Sequence, residues 1–365
     1  MLLSRVAERI YWAARHLERA EDTARLVRAH GELAADLPVT IPAHWEPLIS
    51  VVGSDAHFAE MVNGQQQQQQ ETLSRPQSQS QSHSRSHSSS RSTSRSRSQS
   101  PSESQSPSPS PSTFRELAVA RFLIADCDNP SSIASSVSSA RGNLRTTRDI
   151  VPRESWHALN DLYLFVSSAA DRSIERLTRE PFLGRVIADS RRLDGVLATA
   201  MTHDEAYVMW RLGRAIERAD MTTRVLGVRA AAVMLFLDGH EVAPIGLHDE
   251  LQWMGVLRSV SGLQMYQRAV RGPIEGWRVV EFLLDNDRFP RAVRALLREI
   301  RHALGSLPNP GAVLDAVDQV DAVVSDSSSA TDDGEELDDA MDAVQVAISQ
   351  LDRHITERYL RVGRA

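Results

Sequence analysis

Apolar residues recur at every third and fourth position over long stretches of the chain. Ile10, Ala13, Leu17, Ala20, Ala24 and Val27 fall on one arc at 100° per residue. Met209, Leu212, Ile216, Ala219, Thr223 and Leu226 form the same arc in a second segment. Each arc is opposed by a polar stripe. Tyr11, Arg15, Glu18, Glu21, Asp22 and Arg25 make the first; Trp210, Arg214, Glu217, Asp220 and Arg224 make the second. Pro38, Pro152, Pro181, Pro244, Pro273, Pro290 and Pro308 punctuate the helical segments. No convincing series of alternating strands is found. The pattern predicts an all-α helical bundle of roughly eight to ten helices.

The two stripes share more than a period. "RHLERAEDTAR" at 15–25 returns as "RAIERADMTTR" at 214–224, 199 positions later. Two further blocks follow in the same order. Trp45 and Phe58 lie thirteen apart, as do Trp253 and Tyr266; Phe122 precedes Pro130 by eight, as Phe282 precedes Pro290. This predicts an internal duplication of a helical unit, with copies at about 1–150 and 204–305 in one domain spanning 1–365. Tyr266 to Phe282 covers 16 positions and Phe58 to Phe122 covers 64. The first unit is therefore interrupted by some 48 residues, close to the length of a Gln, Ser, Arg and Pro tract at 64–112. That tract has almost no apolar residue, cannot offset its ordering entropy, and is expected to be a disordered low-complexity insert in an inter-helix loop. Its Arg-Ser dipeptides resemble those of RNA-processing proteins, which leaves RNA association as a third reading of function. Deletion of 64–112 should then abolish salt-sensitive RNA binding.

The Arg and Glu positions on the stripes are the chief candidate chemistry: Arg15, Glu18, Arg19, Glu21, Arg25, Arg214, Glu217, Arg218, Asp220 and Arg224. Four readings are open. The charges form exposed ion pairs at helical spacing (Arg15–Glu18, Glu21–Arg25, Arg214–Glu217, Asp220–Arg224), each worth about 0.3–0.5 kcal/mol. The two helices meet and exchange Arg and Glu in a buried network, which demands full pairing. The guanidiniums hold a phosphate or carboxylate in a cleft. Or four carboxylates hold a metal, against which stand the missing histidine at i+3 and the surrounding Arg. No metal and no cofactor is expected. "DNPSSI" at 128–133 is a candidate helix start, where Asn129, Ser131 or Ser132 would cap the helix or bind an anion. Thr202 is the expected cap of the later helix, with Glu205 at the capping-box position. Cys127, flanked by two Asp, is a poor candidate nucleophile.

Composition trims these options. The net charge is −7, but residues 325–339 hold seven acids and no base. The remainder is only mildly acidic, so nucleic acid is not expected as a partner. An acidic flexible loop is expected at 325–335. A single cysteine excludes an intrachain disulfide. Early charges at Arg5, Glu8 and Arg9 argue against a signal peptide, and no apolar run is long enough for a membrane span. A cytoplasmic location is expected.

"LLSRVAERIYWAARHLERAEDTARL", "DEAYVMWRLGRAIERADMTTRVL" and the intervening "DNPSSI" resemble the bacterial alpha-E family, a helical domain with a Glu-Arg motif. The resemblance covers nearly the whole chain outside 64–112 and the acidic loop. It places the motif at Glu18–Arg19 and Glu217–Arg218. It implies protein partners: circularly permuted ATP-grasp ligases and transglutaminase-like proteins. The function it implies is that of an accessory or scaffold partner in peptide synthesis or modification. The alternative is an independent enzyme or small-anion-binding protein using the paired Arg/Glu helices.

Overall fold

The computed structural model describes residues 3–37, 43–63, 111–237, 245–327 and 334–361. Of the insert, only 111–112 fall inside this range, at the start of a helix; 64–110 lie outside the described residues. Of the acidic segment, 325–327 close one helix and 334–335 open the next, and 328–333 lie outside.

Fourteen helices and no strand form among the described residues. The first half holds α1 (Ser4–Asp36), α2 (Pro47–Val51), α3 (55–63), α4 (Pro111–Ile124), α5 (Ile133–Arg145), α6 (Arg153–Ala169) and α7 (Arg176–Ala200). The second holds α8 (Glu205–Leu237), α9 (Ile245–Ser259), α10 (Leu263–Val270), α11 (Gly276–Asp285), α12 (Val293–Leu304), α13 (Gly311–Ser327) and α14 (Gly334–Ile355). The excess over eight to ten comes from short pieces such as α2, α3 and α10, which span too few turns for a 3.6-residue period to register.

The 33-residue helices α1 and α8, each about 50 Å long, cross at the centre of the bundle. Gly213 permits the crossing: a Cβ there would lie inside 3.0 Å of the Tyr11 carbonyl oxygen and 3.1 Å from the Ala14 Cβ. Small residues at the contact let the two backbones approach. Helices α5 and α7 pack on α1, with α6 behind them; α12 and α14 pack on α8, with α13 beside them. The apolar arcs of α1 and α8 are buried as their periodicity predicts, Ile10, Ala13, Ala20 and Leu212 fully so. The aromatic blocks also meet: Phe58 packs edge-on against Phe122 at 5.1 Å and Tyr266 against Phe282 at 5.5 Å.

Two local expectations need correction. Pro181 lies inside α7 rather than between helices. It removes a hydrogen bond to the Leu177 carbonyl, but Leu177 is 92% exposed, so water can take the acceptor. Asp204, not Thr202, caps α8: its Oδ1 accepts from the backbone N–H groups of Ala206 at 3.0 Å and Tyr207 at 3.4 Å.

Candidate functional site

A Glu-Arg dipeptide on a helix cannot pair with itself, because adjacent side chains diverge by 100°. The crossing of α1 and α8 resolves this by exchange. Glu18 of α1 accepts from Arg218 of α8 through Nε at 2.8 Å and Nη2 at 2.9 Å, and from Arg214 Nε at 3.2 Å. Glu217 of α8 accepts from Arg19 Nε at 2.5 Å and Nη2 at 3.1 Å, and from Arg15 Nε at 2.7 Å, all on α1. Glu18 is 2% exposed and Glu217 1%, so these are buried, multiply bonded carboxylates. The in-helix partners Arg15–Glu18 and Arg214–Glu217 are therefore not the pairs that form. Glu21–Arg25 and Asp220–Arg224 do pair at i,i+4, the latter at 2.8 Å.

The outer ends of the network are matched too. Arg15 Nη1 reaches Asp352 of α14 at 2.9 Å, and the Tyr11 hydroxyl donates to the same carboxylate. Arg214 reaches Asp194 of α7, and Trp210 Nε1 donates to it at 3.2 Å. This explains an aromatic on each polar stripe: its polar tip anchors the acid that holds the Arg.

Electrostatics follow from this wiring. Burial pushes the Glu18 carboxyl up, but Arg218, Arg291 and Arg214 outweigh it and hold Glu18 well below the usual carboxylate range. Glu217 is likewise lowered, with Arg15 and Arg19 overcoming burial. Both stay ionised and are poor proton carriers. Asp22 behaves oppositely. Burial raises it to about 7 against the pull of Arg291, with Glu18 and Glu21 pushing the same way as burial. One of its oxygens, Oδ2, is buried without a partner among the described residues.

On the Glu18 side the network opens into a polar cavity of about 250 Å³. Arg25, Arg191, Arg214, Arg218 and Arg291 line it together with Glu21, Asp194 and Ser261. Arg291 stands just before α12 and bridges three acids of α1: Glu18 at 2.8 Å, Glu21 at 3.6 Å, and Asp22 through its other nitrogen. Arg191 of α7 is the most accessible cation, with a 57% exposed side chain and only long contacts, 3.4 Å to Glu21 and 3.4 Å to Ser261. Five guanidiniums thus face Glu18, Glu21, Asp22 and Asp194. The excess is positive, and it grows when Asp22 is neutral. Such a cleft can hold an oxyanion through charge-assisted hydrogen bonds. Among the described residues no three His, Cys, Asp or Glu side chains converge as metal ligands. A second, apolar cavity of about 150 Å³ lies between α1, α2 and α9, with His30 in its wall; it holds none of these charges.

Of the sequence-predicted residues, Arg15, Glu18, Arg19, Glu217, Arg218 and Arg214 meet in the crossed network, with Glu21 and Arg25 at the cavity. Asp220 and Arg224 lie apart from the cavity, Arg224 packing over Gly53. The 129–132 segment is spent internally. Ser132 caps α5 through the Ser135 N–H at 3.0 Å, Asn129 ties Phe122 and Ser131, and the Ser131 carbonyl takes the Thr23 hydroxyl. Asp22 stood on the polar stripe but was not singled out as a candidate, and sequence reasoning missed Arg291, Arg191, Asp194, Asp352 and Ser261. Only Arg291 had a signal: it follows Pro290, where the corresponding block has Ser131 after Pro130.

The Alpha-E family profile, described as a predicted alpha-helical domain with a conserved ER motif, matches residues 2–360. Uncharacterised proteins of Mycobacterium bovis and Mycobacterium tuberculosis are each 24% identical over 190 residues. That stretch is 51% of this chain and 20% of each relative, so the match spans a fifth of their length. No solved structure matches the chain.

Proposed function

This chain belongs to the Alpha-E family, and on that premise we propose that it is a non-catalytic partner of an ATP-grasp-type ligase, holding the carboxylate of a peptide substrate in its arginine cleft. The observation that carries this reading is the cavity of about 250 Å³ in which five guanidiniums converge, Arg191 and Arg291 among them. Glu18 and Glu217 are locked as anions by their Arg partners, which suits binding rather than proton transfer. The relatives support a component role. A chain of 365 residues would fill less than half of either mycobacterial protein, so there this kind of sequence is joined to much further chain.

The same proposal covers the chain's origin. We read about 1–150 and 204–305 as copies of one helical unit, the first interrupted by the 64–112 insert. In support, Ala14 and Gly213 at the crossing, Glu18 and Glu217 in the network, and Thr23 and Thr222 against the 131 and 291 carbonyls all lie 199 positions apart. The twofold exchange of Glu and Arg is what a duplicated helix would give on meeting its copy.

The test is calorimetric titration with N-acetylglutamate at low salt. Binding should be weakened about tenfold or more by Arg191→Ala, one charge-assisted contact being worth roughly 1.5–3 kcal/mol. No binding by the wild type would end this reading.

A further inference from the structure

Of the four left-handed residues among those described, two lie at corresponding turns, eight residues after Trp45 and eight after Trp253. One is Gly53, at φ 65°; the other is Ser261, at φ 54°. Glycine takes this conformation at no steric cost, whereas a serine there is strained. The arginines that approach the two turns are also related: Arg224 Nη1 lies 3.0 Å from where a Gly53 Cβ would be, and Arg25 Nη1 donates to the Ser261 hydroxyl. Glycine would serve the turn at 261 as it does at 53. A strained side chain kept where glycine suffices points to a use for that side chain.

Its surroundings indicate the use. Ser261 is exposed and lines the arginine cavity. Its Oγ receives N–H groups from Arg25 and, at 3.4 Å, from Arg191. A hydroxyl has two acceptor sites and one proton to donate. With both acceptor sites facing guanidiniums, the proton is directed away from them. Two cations on the oxygen also make that O–H a stronger donor. We propose that Ser261 is a specificity-determining residue of the cleft, donating its hydroxyl hydrogen bond to a bound carboxylate that Arg25 and Arg191 hold by charge. The carboxylate would take the place of the long Arg191 contact to Glu21.

This rests on the cleft reading above, and the experiment separates the two. Ser261→Gly and Ser261→Ala are titrated with N-acetylglutamate beside the wild type, and each is unfolded in urea. Ser261→Gly removes both the hydroxyl and the backbone strain; Ser261→Ala removes the hydroxyl alone. Both are expected to bind about tenfold more weakly, while Ser261→Gly unfolds at higher urea than the wild type and Ser261→Ala does not. Equal loss of binding in two variants that differ in stability assigns the effect to the hydroxyl. If the wild type binds and Ser261→Gly binds equally well or better, the role of Ser261 is overturned and the cleft reading stands. If the wild type does not bind, both are overturned.

Discussion

Replacing Glu18 by Gln removes the charge at the centre of the crossed network and keeps the shape. Four N–H groups from three arginines converge on this side chain. Gln offers one carbonyl oxygen to them and turns an NH₂ donor toward the rest. The three arginines are affected unequally. Arg214 keeps Asp194 and Arg291 keeps Asp22, but both strong bonds of Arg218 go to Glu18 alone. The substitution therefore strands one largely buried guanidinium at the cavity wall, and breaking a buried pair in this way costs up to about 3–5 kcal/mol. Urea unfolding at pH 7.5, followed by far-ultraviolet dichroism, reads the loss. The double variant Glu18→Gln, Arg218→Met removes the stranded charge and should recover more than half of it, giving a coupling of at least about 2 kcal/mol in the double-mutant cycle once the cost of Arg218→Met alone is included. A loss under about 1 kcal/mol, or strict additivity of the two changes, would refute a buried network here.

Further outcomes follow from the same geometry. Gly213→Ala should cost several kcal/mol, roughly 3 or more, because the new methyl meets the Tyr11 backbone of α1. Gly184→Ala in α7, with nothing within 4 Å, should instead stabilise by about 0.5–1 kcal/mol; equal effects of the two in urea unfolding would show that Gly213 does not set the crossing. Asp22 gives a pH signature. Its folded value, raised to about 7, exceeds the unfolded one near 3.8, so the stability it contributes is present at low pH and lost as pH rises between them. Facing it are Glu18, Glu21 and Arg25 from α1, Arg218 from α8 and Arg291 before α12. Asp22→Asn should flatten that decline, measured as the urea midpoint at pH 5 and pH 8; an unchanged slope would remove Asp22 as its source. N-acetylglutamate binding should tighten as pH falls through 7, since a neutral Asp22 leaves Arg291 more of its charge.

The helices at the core were legible because period and polarity agreed. The arcs around Ile10 and Leu212 are buried, and the stripes carrying Glu18 and Glu217 face each other. The pairing was legible only as one option, because a periodic sequence does not say whether Arg15 turns to Glu18 on its own helix or to Glu217 on another. Burial decided it, since two carboxylates removed from water require more donors than one helix face can give. The open side of the site was not legible. Arg191 and Asp194 come from α7, and no spacing ties them to the Glu-Arg motif; Arg291, before α12, was marked only by its place after Pro290. Ser261 was hidden for another reason: its importance lies in a backbone angle that a sequence does not display.

We propose that this helical protein works beside a ligase and uses the arginine cleft to do so. Native purification of the protein from its host, with mass spectrometry of what accompanies it, tests that most directly when wild type and Arg191→Ala are compared. Arg191 is exposed enough that the variant should fold. An ATP-grasp ligase is expected in the wild-type preparation, and less of it, or none, with Arg191→Ala. A wild-type preparation without any such ligase would contradict the partner reading.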